Sequence, residues 1–263
     1  MMVLVPFAAG VIGGGAVWQH TLLGAFWLAG YSLFFTGSNW IQARRRQSYL
    51  KPVWFWLAVT AAAGLATLIA CGAILPWVAA FVPLIGVTAW QLLAKHPRSL
   101  LARSSEVLAG SLMCLVAWDL GHRAAAGPVV LLSLLTGTAA PSVLIDTSEA
   151  SRAIAVTALM AYYFWSTIPY VKSLVREKDS RAYGWLSAAV HALGVAGALA
   201  LWLGGAVSWA VLAFWVCAAA RAAYFTHAAR NQVPQRVSPK KLLITVGITE
   251  TLLSLLYMAA VLV

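Results

Sequence analysis

Residues 242–262 read LLITVGITETLLSLLYMAAVL, a long apolar stretch that contains a single charged side chain, Glu250. An α-helix rises about 1.5 Å per residue, so roughly 20 apolar residues are needed to cross the hydrocarbon core of a bilayer. The stretch therefore predicts a transmembrane helix at the end of the chain.

The same pattern recurs along the whole sequence. Of the 263 residues, 62% are hydrophobic and 10% are charged, against roughly 45–50% and 25% in soluble domains. Surface grows almost as fast as mass, so a soluble core of this size would leave much of that apolar surface in water. The composition excludes a soluble enzyme, a disordered protein and a disulfide scaffold. It predicts an all-α polytopic transmembrane bundle that forms one integral membrane domain, residues 1–263. The candidate spans are residues 3–17, 21–42, 52–71, 74–94, 104–121, 128–145, 152–172, 184–203, 207–227 and 242–262.

The charges reduce these ten segments to about nine spans. The chain carries 18 Lys and Arg against 7 Asp and Glu, a net charge of +11. Basic loops stay on the cytoplasmic side of a membrane. Sixteen of the 18 basic residues fall on one side only if residues 128–145 do not cross. That segment is predicted to be a re-entrant or outer-surface helix, with the N-terminus cytoplasmic and the C-terminus outside the cell membrane.

Polar groups are costly in a bilayer, so their positions suggest sites. At the inner end of the second span, a continued helix would place Asn39, Gln42 and Arg46 on one face. Arg44, Arg45 and Arg46 are either an interfacial anchor with snorkelling side chains or a cationic floor for a phosphate or carboxylate, since Arg offers a bidentate donor fork.

A second basic helix end carries Lys172 and Arg176, which share a helical stripe with Trp165, Pro169 and Asp179. The two readings are a solvated helix end and a wall of the cavity that Arg46 faces. Lys172, Arg176, Asn39 and the Arg triplet are together the predicted ligand-binding residues.

A third candidate set is buried. His191, Arg221 and Glu250 lie at matching depths in the last three spans, about 9–13 Å from the inner helix ends at 1.5 Å per residue. A lone buried carboxylate needs a partner, so Arg221 is predicted to pair with Glu250, with His191 nearby. The set is either a structural clasp or a site that handles a proton or ligand.

A further mixed-charge group is predicted to be a solvated outer rim: Asp119, His122, Arg123, Asp146, Glu149 and Arg152.

Residues 34–51, with the Arg triplet followed by Tyr49-Leu50 and Lys51-Pro52, resemble the YwiC-like membrane proteins. Residues 170–177 with His191, and residues 239–256, resemble them too. The family implies a multi-pass membrane protein but no activity. It also implies a His-Gly-Ala-Trp motif before the first span, which is missing here. The missing motif and the short first span together predict either a natural start further upstream or a loss of the motif.

A more distant likeness is to the UbiA superfamily of intramembrane prenyltransferases, which implies nine spans and Asp-rich motifs at the inner ends of the second and sixth helices. Asn39 matches the leading Asn, but Trp40 and Ala43 stand where Asp is expected, and Glu177 and Asp179 are the only acids at the second site. The missing metal ligands argue against prenyl transfer, and no metal or cofactor is predicted.

These features predict an atypical UbiA-like membrane protein that binds an isoprenoid or other phosphate-bearing lipid at a basic cavity open to the inner leaflet. The alternatives are a small-solute or proton-coupled transporter that uses the buried set, and a structural membrane subunit. No nucleic-acid partner is expected.

Overall fold

The structure is a computed structural model, and it describes residues 3–97, 99–125, 147–175, 180–231 and 239–262. These residues form nine α-helices, one for each predicted span, and contain no β-strand. Their bounds are α1 Leu4–Gly14, α2 Gln19–Gln42, α3 Leu50–Ala70, α4 Trp77–Leu93, α5 Leu100–Ala125, α6 Thr147–Val175, α7 Arg181–Leu203, α8 Trp209–Asn231 and α9 Pro239–Leu262. The prediction of an all-α polytopic bundle is confirmed. The predicted re-entrant segment, residues 128–145, lies outside the described residues.

Six of the described helices are long and apolar enough to cross a membrane: α3 and α5–α9. The helices α1 and α4 are apolar but shorter, and α2 is long but carries Ser32, Thr36 and Asn39 among its apolar residues. Large apolar side chains on α3, such as Trp54, lie more than half exposed. A lipid solvent accommodates such a surface, so the chain is a multi-pass membrane protein.

The helix ends follow local chemistry. The helix α4 ends where Lys95 adopts a φ of 63°, while His96 N–H donates to Gln91 O at 2.9 Å and closes the last turn. At the N-terminus of α7, the Ser180 hydroxyl accepts a hydrogen bond from the backbone N–H of Tyr183 and caps the helix. Both arrangements satisfy backbone groups that a helix terminus leaves open.

The chain divides into two compact units. The N-terminal unit is Pro6–Ala153, and the C-terminal unit is Ile154–Val263 together with Met1–Val5. The prediction that residues 1–263 form one membrane domain stays a prediction.

In the N-terminal unit, the glycine-rich first helix packs closely on α5. A Cβ on Gly13 would overlap the indole ring of Trp118, and one on Gly10 would overlap the carbonyl of Cys114. Small residues allow such close backbone approach between membrane helices. The glycines of the short first span therefore serve packing.

In the C-terminal unit, aromatic residues form the core. Trp215, Tyr163, Tyr170 and Tyr257 are fully buried. The Tyr257 hydroxyl donates to Val156 O at 2.7 Å and ties α9 to α6. Gly194 makes room for the Trp215 ring between α7 and α8. This core holds the polar groups described next in fixed positions.

Candidate functional site: a buried arginine with an open edge

An ion pair links α8 to α9 within the C-terminal unit. Nη1 of Arg221 donates to Oε1 of Glu250, and the two side chains are 9% and 20% exposed. The residues stand 29 positions apart, and the pair forms because the two helices are neighbours. The structure thus brings together two of the three residues in the predicted buried set.

Two tyrosines on α6 complete this pair. The Tyr163 hydroxyl donates to Oε2 of Glu250 at 2.9 Å, so both carboxylate oxygens have a donor. The guanidinium carbon of Arg221 lies 4.1 Å from the centre of the Tyr170 ring. A cation over an aromatic face is attracted to the ring electrons. Because Tyr163 and Tyr170 are two helical turns apart on α6, they present to the same face.

His191 contacts Tyr170 and so adjoins the cluster formed by Arg221, Glu250, Tyr163 and Tyr170. The two ring centres are 6.0 Å apart, with the planes at 73°. His191 is 1% exposed, and its Nδ1 lies 2.8 Å from the carbonyl oxygen of Ser187 on the preceding turn of α7. Among the described contacts, His191 touches neither Arg221 nor Glu250 through a hydrogen bond.

One edge of the Arg221 guanidinium is buried without a hydrogen-bond acceptor of standard geometry among the described residues. Nε and Nη2 are buried and make no hydrogen bond of standard geometry to the described residues. These nitrogens form the side of the planar guanidinium on which two N–H bonds point the same way. Arg221 also lines a groove of about 380 Å³ between α8 and α9, whose other walls are Thr249, Leu252, Leu253 and Leu256. The site places a buried guanidinium beside an apolar groove.

The basic end of α2 is exposed. The helix ends at Gln42, and Arg44 and Arg45 adopt φ angles of 54° and 59° before Arg46 returns to extended backbone. The last turn of α2 closes when Arg45 N–H donates to Trp40 O at 2.9 Å, so Arg46 lies beyond the helix. The expectation that Asn39, Gln42 and Arg46 share a helical face is therefore wrong. All three arginines are exposed and Asn39 is half-buried.

The other predicted ligand-binding residues lie in the second unit or outside the described chain. Lys172 is half-buried on α6, which runs through Pro169 to Val175 and belongs from Ile154 onward to the C-terminal unit. Arg176 and Asp179 lie outside the described residues. The cavity predicted to join the two basic helix ends stays a prediction.

The prediction of a solvated outer rim is wrong for Asp119. The helix α5 continues past the predicted end to Ala125, and Asp119 is 1% exposed, accepting from the Trp77 indole N–H at 2.8 Å. His122 is half-buried and stacks on Trp118. Arg152 is exposed on α6, whereas Asp146 and the side chains of Arg123 and Glu149 lie outside the described part.

Tyr163 and Tyr170 were not predicted as site residues. Their shared face and their hydroxyl groups within an apolar helix are the signal that was available. Among the described residues, no group of three or more His, Cys, Asp or Glu comes together in a way that could hold a metal ion.

Comparisons with known proteins give one family. The family model described as YwiC-like protein matches residues 1–118, which include α1–α4 and most of α5. Searches of curated proteins and of solved structures returned no match. The likeness of the later motifs to the same family, and the distant likeness to the UbiA superfamily, therefore stay predictions. Over residues 1–118, which include the basic stretch at residues 34–51, the chain is similar to the YwiC-like family.

Proposed function

We propose that this multi-pass membrane protein binds a lipid with a phosphate headgroup at Arg221, in the groove between α8 and α9. The observation that carries the proposal is the pair of buried guanidinium nitrogens, Nε and Nη2, that make no hydrogen bond to the described residues. A buried donor without a partner costs free energy, and the Nε and Nη2 edge of arginine matches two oxygens of a phosphate. The leucine-lined walls of the groove suit an acyl or isoprenoid chain.

The pair with Glu250 supports this role for Arg221. Glu250 occupies Nη1 and holds the guanidinium on the Tyr170 ring, so the remaining edge keeps one orientation. A donor that is already oriented loses less conformational entropy when a ligand binds.

Binding to the purified full chain in detergent tests the proposal. The probes are dioctanoyl phosphatidic acid, which carries a phosphate, and dioctanoylglycerol, which has the same tails and none. We expect retention of the phosphate lipid in native mass spectrometry. We also expect a loss of about tenfold or more in Arg221→Lys, because Lys keeps the charge without the planar fork.

The matched control is Arg103→Lys, which changes an exposed arginine that also pairs with a glutamate. Its binding should equal that of the wild type. Equal retention of the two lipids by the wild type would contradict the proposal. So would unchanged phosphate binding in an Arg221→Lys protein whose thermal unfolding matches that of the wild type.

The basic helix ends supply a second element of the proposal. Asn39, Arg44, Arg45, Arg46, Lys172 and Arg176 would attract the anionic headgroup at the inner face of the cell membrane. The exposure of the arginine triplet supports this interfacial role. This interfacial role requires the N-terminus to lie in the cytoplasm and the C-terminus outside. Ser180 is then cytoplasmic, so labelling a cysteine placed at Ser180 from the outer face would overturn the orientation.

Proton-coupled transport is the second candidate function, and the partly buried Glu250 and the buried His191 within the same unit favour it. Carboxylates and histidines inside membrane spans often mark proton relays. A proton flux in proteoliposomes that requires Glu250, with no retained lipid, would support transport over lipid binding.

A further inference from the structure

Two turns carry the positive charge of the first four helices. Residues 6–105 contain seven Lys and Arg and no Asp or Glu, and all seven lie within residues 44–51 and 95–103. These stretches cover the α2–α3 turn and the α4–α5 turn, with the first residues of the helices that follow. The other two turns, residues 15–18 and 71–76, carry no charged residue.

Contacts within the N-terminal unit place the two charged turns at the same end. The start of α2 meets the late part of α5 through His20, whose Nε2 lies 2.8 Å from a carbonyl oxygen there. The start of α4 meets the same part of α5 through the Trp77 indole. Further along, the rings of Trp27 on α2 and Phe81 on α4 are 6.1 Å apart. The two helices therefore run in the same direction, and their C-terminal ends emerge on one side of the unit.

The backbone of these turns is unusual for the residues that occupy it. Among the described residues, the non-glycine residues with a positive φ are Arg44, Arg45 and Lys95, at 54°, 59° and 63°. Glycine adopts this conformation at lower cost and is the usual residue where a helix ends in this way. All three residues are basic and exposed. The turn itself would favour glycine, so it gives no reason for a positive charge at these positions.

The charges of the α2–α3 turn have a fixed backbone and no counter-charge. Arg44, Arg45, Arg46 and Lys51 are exposed, and none of them forms an ion pair with a residue that the structure describes. The turn is closed because Arg45 N–H donates to Trp40 O at 2.9 Å. The guanidinium carbon of Arg45 lies 5.9 Å from the centre of the Trp40 ring. The turn thus presents a group of cations on a hydrogen-bonded support.

Exposed tryptophans lie just inside both turns. Trp54 on α3 and Trp90 on α4 are 62% and 59% exposed, and each lies within about one helical turn of the basic end. Tryptophan in membrane helices is enriched where the acyl chains meet the headgroups. Basic residues beyond these tryptophans are therefore at the level of the headgroups.

We propose that this end of the N-terminal unit binds anionic phospholipid headgroups of the leaflet that it faces, through Arg44, Arg45 and Arg46 at one turn and Lys95 at the other. A leaflet is a continuous surface, so the two turns bind separate headgroups and need not contact each other. Lys and Arg near an anionic membrane surface each add to the attraction. The partner is the bilayer itself, so the inference goes beyond the single lipid proposed at Arg221 and stands without it.

Equilibrium titration of the full chain in neutral detergent tests the inference. The probes are dioctanoyl phosphatidylglycerol and dioctanoyl phosphatidylcholine, which have the same tails and differ in net charge. At low salt we expect the wild type to bind the anionic lipid about tenfold or more tightly, since each nearby cation adds roughly fivefold. This preference should largely disappear near 1 M salt, because exposed charges are screened far more than buried ones.

The decisive variant combines Arg44→Gly and Arg45→Gly, which suits the left-handed turn and removes two cations. We expect its preference for phosphatidylglycerol to fall about fivefold or more. Its thermal midpoint should equal or exceed that of the wild type. The matched control combines Arg44→Lys and Arg45→Lys, which keeps both charges and should keep the preference.

Two outcomes would overturn the inference directly: equal wild-type affinity for the two lipids, and an unchanged preference in the folded glycine variant. A third comparison separates this inference from the proposed function. If Arg221→Lys removes the preference and the glycine variant keeps it, the anionic lipid binds in the groove, and only the proposed function stands. If the glycine variant loses the preference and Arg221→Lys keeps it, the inference stands whatever the groove binds.

Discussion

The chain contains two described arginine–glutamate pairs whose chemistry is the same and whose surroundings differ. Arg103 and Glu106 are one turn apart on α5, joined at 2.8 Å, with side chains 50% and 24% exposed. Arg221 and Glu250 join two helices, with side chains 9% and 20% exposed. An exposed pair is solvated with or without its partner, whereas a buried charge that loses its partner has no substitute. Burial makes the second pair the one whose loss matters.

The largest effect is expected when the buried pair is broken. Glu250→Gln keeps the shape of the side chain and leaves the guanidinium of Arg221 without a counter-charge. We expect a loss of about 3–5 kcal/mol in the free energy of unfolding, measured by thermal or denaturant unfolding in one detergent. The matched variant Glu106→Gln should cost about 1 kcal/mol or less. Equal stability of the two variants would contradict the importance of burial.

A smaller effect is expected when the carboxylate keeps its charge and loses one donor. Tyr163→Phe removes the hydroxyl that donates to Oε2 of Glu250 and retains the ring packing. A hydrogen bond to a charged group contributes about 1.5–3 kcal/mol, and we expect a loss in that range. Tyr224→Phe, at a tyrosine that is 68% exposed, is the control and should stay within about 0.5 kcal/mol of the wild type. If Tyr163→Phe behaved like the control, the hydroxyl would be unimportant to the cluster.

The smallest effect is expected at the exposed pair. A double-mutant cycle with Arg103→Gln and Glu106→Gln should give a coupling of about 0.5 kcal/mol or less at low salt. It should approach zero near 1 M salt, where the Debye length falls to about 3 Å. The measurement is unfolding at two salt concentrations. A salt-independent coupling of several kcal/mol would mean that this pair is also shielded from solvent.

Much of the secondary structure was predictable because it depends on local composition. Apolar runs predicted ten segments and the charges reduced them to nine spans, and a helix is present in each of those nine. The helix ends were harder to predict from the sequence. The helix α5 runs on past the predicted boundary because Asp119, whose charge suggested a loop, accepts a hydrogen bond from Trp77 inside the N-terminal unit.

The candidate site was predictable only in part. Arg221 and Glu250 stood out as isolated charges in apolar segments, and matched depth was enough to suggest a pair. Tyr163 and Tyr170 did not stand out, because tyrosine is common in membrane helices and packs without a special role. Which nitrogens of Arg221 stay without a hydrogen bond to the described residues depends on the placement of three helices, and no local pattern carries that information.

The sequence by itself determined that the chain is a helical membrane protein, because the length and apolarity of each segment decide whether a helix suits a bilayer. Tertiary structure alone decided which polar groups meet. Glu250 receives one donor from 29 residues away and another from 87 residues away. A buried carboxylate must be paired, but its partners are whichever donors the packed helices bring within hydrogen-bond distance.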